Sequence, residues 1–206
     1  MVYLRSLPEL YWQPVTAVKE PRLQKDEIIA RQIRKRDPEA WARIYEEFFP
    51  RIYRFIALKV RNRTEAEDLT EQVFLKALEA SPSFKWRGAP ISSWLFRIAH
   101  NQVIDYYRTD KSRRLLPLDE SLVSDGIDPE KAAETNWEVR QAIIAVSELT
   151  QAQRNVIELR FAGGLSTAEV AKVLGKRQGA VKALQHSAIA ALRKKLSRCN
   201  DYDRTI

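Results

Sequence analysis

The residue types that most often catalyse reactions or bind metals are sparse in this chain. The sequence contains one cysteine, Cys199, and two histidines, His100 and His186. These residues cannot form a zinc finger or an intramolecular disulfide, and neither a CxxC nor an HExxH motif occurs. No glycine-rich phosphate loop or cysteine–histidine pair is present either. We therefore expect a protein that binds rather than catalyses, with no metal and no cofactor.

The composition instead favours binding to a polyanion. The chain of 206 residues carries 35 Lys and Arg against 27 Asp and Glu, a net charge of +8. A balance of this sign is typical of proteins with a nucleic-acid partner. Apolar runs such as 142–146 are far too short to cross a bilayer, and the N-terminus lacks the apolar stretch of a secretory signal. We expect a cytosolic protein with no membrane insertion.

Aromatic and cationic residues alternate in one loop, 81–90, which contains proline and glycine. Such a loop suits stacking on unpaired bases together with neutralisation of phosphates. The alternative is that the two aromatic residues anchor the loop to the core, as aromatic side chains usually do. The sequence leaves both readings open for the loop residues Phe84, Lys85, Trp86 and Arg87.

A helix is predicted immediately after this loop, capped by Ser92 and running to about Arg108. Its apolar residues, Leu95, Ala99, Val103 and Tyr106, share one face at ~100° per residue. A separate polar stripe carries Arg97, Asn101 and Arg108.

The C-terminal part of the chain predicts a helix-turn-helix. Thr150 with Gln153, and Ser166 with Glu169, each fit a capping box. Glycines 163, 164 and 175 provide the stops, and the last helix is expected from about Gln178 to Leu196, with Val181, Leu184, Ala188, Leu192 and Leu196 buried. Basic residues beside that apolar stripe are expected to face a DNA major groove: Lys182, His186 and Arg193.

Charge and breaker residues divide the chain. Residues 24–110 have a net charge of +3, residues 111–136 of −2, and residues 137–198 of +7. The prolines and the acidic character of 111–136 favour an irregular linker over a long loop inside one domain. Helical spacing recurs on both sides, at Trp41, Ile44, Tyr45 and Phe48 and again at Leu69, Val73, Leu75 and Leu78. The predicted fold is all-α, with two small helical domains, an extension at 1–23 and a tail at 199–206.

Three ordered motifs resemble those of the bacterial extracytoplasmic-function (group 4) sigma factors of the sigma-70 family. AEDLTEQVFLKAL at 66–78 resembles the segment that binds core RNA polymerase, and WLFRIAHNQVIDYYR at 94–108 resembles the helix that reads and melts the −10 element. Residues 149–196 resemble the domain that binds the −35 element. The resemblance covers nearly all of 24–198 and implies a transcription initiation factor.

The resemblance also implies roles for matching residues. The clamp coiled coil of the polymerase would be bound by Asp68, Leu69, Gln72 and Phe74. The chain would also contact a second part of the polymerase, the flap. Residues 84–87 would hold an extruded −10 base, with Arg97, Asn101 and Arg108 along the strand. The −35 duplex would be contacted by Lys176, Arg177, Lys182, His186 and Arg193. The family further implies regulation by an anti-sigma factor that covers the polymerase-facing surfaces.

Two positions depart from the family pattern. Glu71-Gln72 reverses the Gln-Glu that commonly precedes Val-Phe, and Ser187 stands where an arginine is common. An autonomous helix-turn-helix regulator is the alternative function, and it predicts tight, specific binding of the free protein to duplex DNA. That alternative leaves the acidic linker and the loop at 84–87 without a role.

Overall fold

The computed structural model describes residues 19–60, 62–85, 88–109 and 144–202, and all regular structure in these ranges is helical. The predicted linker, Trp86, Arg87 and most of the two terminal segments lie outside them. The helices are α1 (Lys19–Arg34), α2 (Pro38–Val60), α3 (Arg63–Ala80), α4 (Ile91–Thr109), α5 (Gln151–Phe161), α6 (Thr167–Leu174) and α7 (Gln178–Tyr202), with a 3-10 turn at Ser81–Ser83. We refer to α1–α4 as the N-terminal half and to α5–α7 as the C-terminal half. Among these helices none is long and apolar enough to span a membrane.

The N-terminal half is built on α2, α3 and α4. Ile52, Phe55 and Ile56 of α2 are fully buried, as are Val73 of α3 and Phe96 of α4. The Phe55 and Phe96 rings meet edge to face with centroids 5.7 Å apart. The predicted apolar face of α4 is confirmed, because Leu95, Ala99, Val103 and Tyr106 are all buried. Burial of each large apolar side chain contributes ~1.5–3 kcal/mol.

Two expectations for this half are wrong. Ser92 does not cap α4, because the helix already begins at Ile91 and the amide of Ser93 donates to the carbonyl of Pro90. The Ser92 side chain is buried and donates to Glu169 instead. Leu75 and Leu78 do not join the core with Leu69 and Val73, since they are 56% and 37% exposed.

The local signals of the C-terminal half are confirmed. Both capping boxes are complete: Thr150 with Gln153 opens α5, and Ser166 with Glu169 opens α6. Gly164 and Gly175 have φ values of 64° and 62°, a left-handed backbone that glycine adopts without steric cost. In the predicted stripe of α7, Val181 and Ala188 are fully buried, whereas Leu196 is 38% exposed. The helix also extends past Leu196 to Tyr202.

The two halves share one apolar core. The buried cluster that contains Phe55 and Phe96 of the N-terminal half also includes apolar residues from the C-terminal part of the chain. These are Val156, Leu159, Leu165, Val170 and Val173. Helix α4 packs against α6, and α2 against α5. Polar contacts also cross this boundary, among them Arg51 with Gly163 and Lys59 with Glu158.

Candidate nucleic-acid and polymerase interfaces

The first surface is the recognition face, which we define as the exposed Lys, Arg and His residues just before α7 and along one side of it. It forms because α6 ends at the left-handed Gly175 and α7 begins three residues later. Within the described part of the chain, none of its members forms an ion pair. Its members are Lys176, Arg177, Lys182, His186 and Arg193.

The described carboxylates of residues 144–196 all have partners outside this face. Glu158 is 5% exposed and pairs with Lys59. Glu169 is 5% exposed, accepts from the amide of Ser166 at 2.7 Å and also accepts from Ser92. Glu148 pairs with Lys195. Because these carboxylates already have cationic or hydrogen-bonding partners, the positive charge of the recognition face is available to phosphates.

Ser187 has an internal role that the sequence did not indicate. Its hydroxyl accepts from Nε2 of Gln153 at 3.0 Å and donates to the carbonyl of Leu184 at 3.1 Å. The position at which the resembled family commonly has arginine therefore links α5 to α7 in this chain.

The second surface is the polar stripe of α4, and its predicted exposure is confirmed for Arg97, Asn101 and Arg108. Arg108 forms an exposed pair with Asp105 at 3.0 Å. Such a pair contributes little stability, so a phosphate can replace Asp105 at small cost. Arg97 donates to the main-chain carbonyl of Lys172 in α6.

In the adjoining loop, Phe84 is half-buried and packs on the core. Its ring lies 4.4 Å from the ring of Trp94, measured between centroids. This arrangement matches the anchoring alternative, because an aromatic pair of this kind is stabilising and leaves only part of the Phe84 ring accessible. Lys85 is exposed. Trp86 and Arg87 lie outside the described residues.

The third surface lies on α3. Asp68 and Gln72 are exposed, as predicted, but Leu69 and Phe74 are only 6% and 7% exposed. Little of either side chain is accessible, and their contact with a partner stays a prediction. Helix phase explains the difference, since both residues fall on the side of α3 that faces α2 and α4, where they support the exposed residues from beneath.

Exposed apolar residues complete this third surface, and sequence periodicity missed them. Leu75 lies within ~60° of Asp68 and Gln72 around the helix. Leu78 is next to it, and Tyr45 of α2, 41% exposed, packs its ring 4.8 Å from that of Phe74. Large apolar side chains grouped on a surface are typical of protein–protein contacts. We call this group the α3 patch, consisting of Tyr45, Asp68, Gln72, Leu75 and Leu78.

His100 of α4 lies beneath these surfaces rather than on one of them. Burial, with a smaller contribution from nearby Lys59, lowers the pKa of His100 to about 4. The imidazole is therefore neutral at physiological pH. Among the described residues its buried Nδ1 has no hydrogen-bond partner.

This shifted pKa predicts an acid-dependent loss of stability. The unfolded chain binds a proton at His100 near pH 6.5 and the folded chain only near pH 4, so stability falls as the pH drops through this window. Replacing His100 with glutamine should flatten the change between pH 7 and pH 5. Urea unfolding midpoints at the two pH values check this, with His186→Gln as the exposed control. An equal pH response in wild type and His100→Gln would contradict it.

The comparisons with known proteins match both halves. Residues 44–113 match the family model for sigma-70 region 2, and residues 145–194 match that for sigma-70 region 4. In the described part of the chain, no three or more His, Cys, Asp or Glu residues lie close enough together to hold a metal ion.

Several relatives and solved structures are similar to the chain. SigW of Bacillus subtilis, an ECF RNA polymerase sigma factor, is 31% identical over 179 residues, which span 81% of this chain and 94% of SigW. BldN of Streptomyces coelicolor, also an ECF RNA polymerase sigma factor, is 34% identical over 158 residues, and the chain spans 60% of it. The solved structure of CnrH in complex with the cytosolic domain of CnrY has the same fold, with a TM-score of 0.62, 24% identity and coverage of 84% of this chain and 97% of CnrH.

The sigma factor RpoE of Bartonella quintana, solved in complex with the anti-sigma factor NepR, is also similar in fold. Its TM-score is 0.59 at 22% identity, with coverage of 76% of this chain and 96% of RpoE. The fold, the two matched regions and relatives matched over most of their length agree with one another. The chain therefore belongs to the extracytoplasmic-function sigma factors of the sigma-70 family, which are transcription initiation factors and not enzymes.

Proposed function

We propose that this chain binds core RNA polymerase and directs it to promoters, with the recognition face on the −35 duplex and the α4 stripe on the −10 element. The observation that carries the proposal is which charged side chains of residues 144–196 have partners and which do not. The five residues of the recognition face are exposed and unpaired within the described chain, while Glu148, Glu158 and Glu169 all have partners elsewhere.

Transcription in vitro tests this function. Purified bacterial core polymerase is supplied with and without the chain on a pool of random upstream sequences. Defined initiation only when the chain is added supports the proposal, and the enriched sequences give the promoter. Absence of initiation, together with tight specific binding of the free protein to duplex DNA, would instead support the autonomous regulator.

Energetics explain why the polymerase is needed for melting. Extruding a base costs a few kcal/mol, and stacking it on an aromatic side chain returns ~1–3 kcal/mol. With Phe84 partly committed to Trp94, the Phe84 ring supplies at most part of that return. We expect the free protein to leave a promoter duplex closed, which permanganate footprinting of unpaired thymines would show.

The α3 patch is the proposed contact with the polymerase clamp coiled coil. Its apolar residues provide contact area, and Asp68 and Gln72 provide a polar border, as in many protein interfaces. We expect the chain to act in the cytoplasm, where polymerase and chromosomal DNA are found. An anti-sigma partner that covers this patch is also proposed; affinity purification that returned only polymerase subunits under every growth condition would contradict it.

Leu75→Ala tests the patch directly. Leu75 is 56% exposed, so the substitution should change the free energy of unfolding by less than ~0.5 kcal/mol. If Leu75 lies at the centre of the contact, the affinity for core polymerase should fall by about tenfold, near 1.4 kcal/mol. Ile28→Ala, at a residue 60% exposed on α1, is the matched control and should leave the affinity unchanged. Fluorescence anisotropy with labelled protein measures both affinities, and equal values would contradict the assignment.

A further inference from the structure

The first residue of α7, Gln178, carries an uncharged polar side chain beside the recognition face. Gln178 is exposed, and its Nε2 donates to Oγ1 of Thr167 at 3.1 Å. Thr167 is the first residue of α6. The contact therefore joins the starts of the two helices that make up the helix-turn-helix.

The turn between α6 and α7 does not depend on this side-chain contact. Gly175 ends α6 in the left-handed conformation, and the amide of Lys176 donates to the carbonyl of Ala171 at 2.9 Å. Main-chain geometry therefore holds the turn. A side-chain hydrogen bond that is open to water adds little stability to it. The fold leaves the amide group of Gln178 available for another role.

The contact with Thr167 orients the Gln178 amide and leaves part of its hydrogen-bonding capacity free. A glutamine amide has two N–H donors and one carbonyl oxygen. Thr167 takes one N–H, so the second N–H and Oε1 remain for a ligand. A neighbouring donor and acceptor of this kind bind N7 and the N6 amino group of adenine in the major groove. Guanine presents two acceptors at the same edge and does not match this pair.

The position of Gln178 around α7 is that of a residue facing a DNA groove. At ~100° per residue it lies ~40° from Lys182 of the recognition face and ~60° from the buried Val181. It therefore lies between the apolar stripe and the basic side of the helix. The N-terminal residues of a recognition helix are those that contact base edges in the major groove.

Small residues lie next to Gln178 on the exposed side of the same helical turns. Gly179 and Ala183 are both exposed. A Cβ on Gly179 would have no heavy atom within 4 Å, so packing inside the protein does not require glycine there. Glycine in a helix is less stable than alanine, but it allows a ligand to approach the backbone closely. A close approach of this kind brings the side chain of Gln178 within reach of base edges.

We propose that Gln178 is a specificity-determining residue that reads one adenine of the −35 element, and that Thr167 is a positioning residue that orients its amide. This inference rests on the proposed function and makes the −35 contact more specific. Contacts between the neighbouring cations and phosphates strengthen binding to every sequence. The amide of Gln178 instead distinguishes one base from the others at a single position.

Promoter selection by the holoenzyme tests this assignment. Core polymerase with the full chain transcribes a pool of random upstream sequences, and sequencing of the transcribed templates gives the base preference at each position. Wild type should favour adenine by about tenfold or more at one position of the −35 element. Gln178→Ala should reduce that preference to less than threefold at this position only. Gln151→Ala is the matched control, because Gln151 is also an exposed, hydrogen-bonded glutamine that begins a helix, and it should keep the wild-type preference.

A changed preference separates base reading from a structural role. Gln178→Glu replaces the N–H donors with a second acceptor oxygen, which suits the N4 amino group of cytosine. The preference at this position should therefore change from adenine to cytosine. A carboxylate at the start of a helix is stabilising, so this variant should remain folded. Thr167→Val keeps the shape of the side chain without its hydroxyl, and it should weaken the adenine preference severalfold without changing the preferred base.

Each result decides one part of the proposal. Equal base preferences in wild type, Gln178→Ala and Gln178→Glu would overturn the role of Gln178, as would an equal loss of transcription from all templates. A preference for a base other than adenine that depends on Gln178 would overturn the assignment to adenine. Equal preferences in wild type and Thr167→Val would overturn the positioning role. Absence of defined initiation with wild type would overturn the proposed function itself, and this inference with it.

Discussion

Replacing Arg177 and Lys182 together with alanine is expected to weaken binding of the holoenzyme to its promoter by on the order of a hundredfold. Both side chains are exposed on the recognition face, and no described carboxylate competes for them. A cation that contacts a base edge contributes ~1–3 kcal/mol, and one that contacts a phosphate contributes a salt-dependent share. The two losses together account for the expected change.

The salt dependence distinguishes contact with DNA from a general loss of folding. A plot of the logarithm of the DNA-binding constant against the logarithm of salt concentration has a negative slope. Each phosphate contact removed should make that slope less steep by about 0.9. Lys35→Ala with Arg43→Ala is the matched control, because it removes the same charge at two exposed positions of the N-terminal half, outside the recognition face and the α4 stripe. That control should stay within about threefold of wild type, and an equal loss in both double variants would contradict the recognition face. Filter binding of promoter DNA at several salt concentrations provides the measurement.

The second large effect is on stability. Phe55→Ala should reduce the free energy of unfolding by ~3–5 kcal/mol, because the residue is fully buried and packed against Phe96. Native proteins are typically stable by only ~5–15 kcal/mol, so the variant would retain a small margin.

Urea unfolding followed by circular dichroism measures this loss. Phe161→Ala is the control, since Phe161 is 47% exposed and its removal leaves no internal cavity. We expect a shift of the midpoint for Phe55→Ala and little shift for Phe161→Ala. Similar midpoints for the two variants would show that Phe55 is not central to the core.

The sequence predicted correctly those features that depend on contacts between residues close together in the chain. The capping boxes of α5 and α6 join residues three positions apart, and the glycine at 175 acts on its own backbone. The exposed cations of α7 followed from helix phase, because the apolar stripe at Val181 and Ala188 fixes which side faces out. The all-α class and the helix-turn-helix depended only on signals of this kind.

It failed where the deciding contact is distant. Ser92 has the right residue type for a cap, but its partner Glu169 is 77 residues away and in the other half. The apolar face predicted for α3 was too wide. Leu75 has the type and spacing of a core residue, and only the positions of the neighbouring helices show that it is exposed. Arg51 and Gly163, 112 residues apart, have no sequence signal that links them.

The shared core of the two halves also has a consequence during synthesis. At ~5–20 residues per second, Ser92 is made about 4–15 s before Glu169, which lies 77 residues later. Over that interval the side of α4 that α6 will cover has no partner from its own chain. Nascent N-terminal halves should therefore expose apolar surface to chaperones and proteases, which proteolysis of chains stalled on the ribosome would detect.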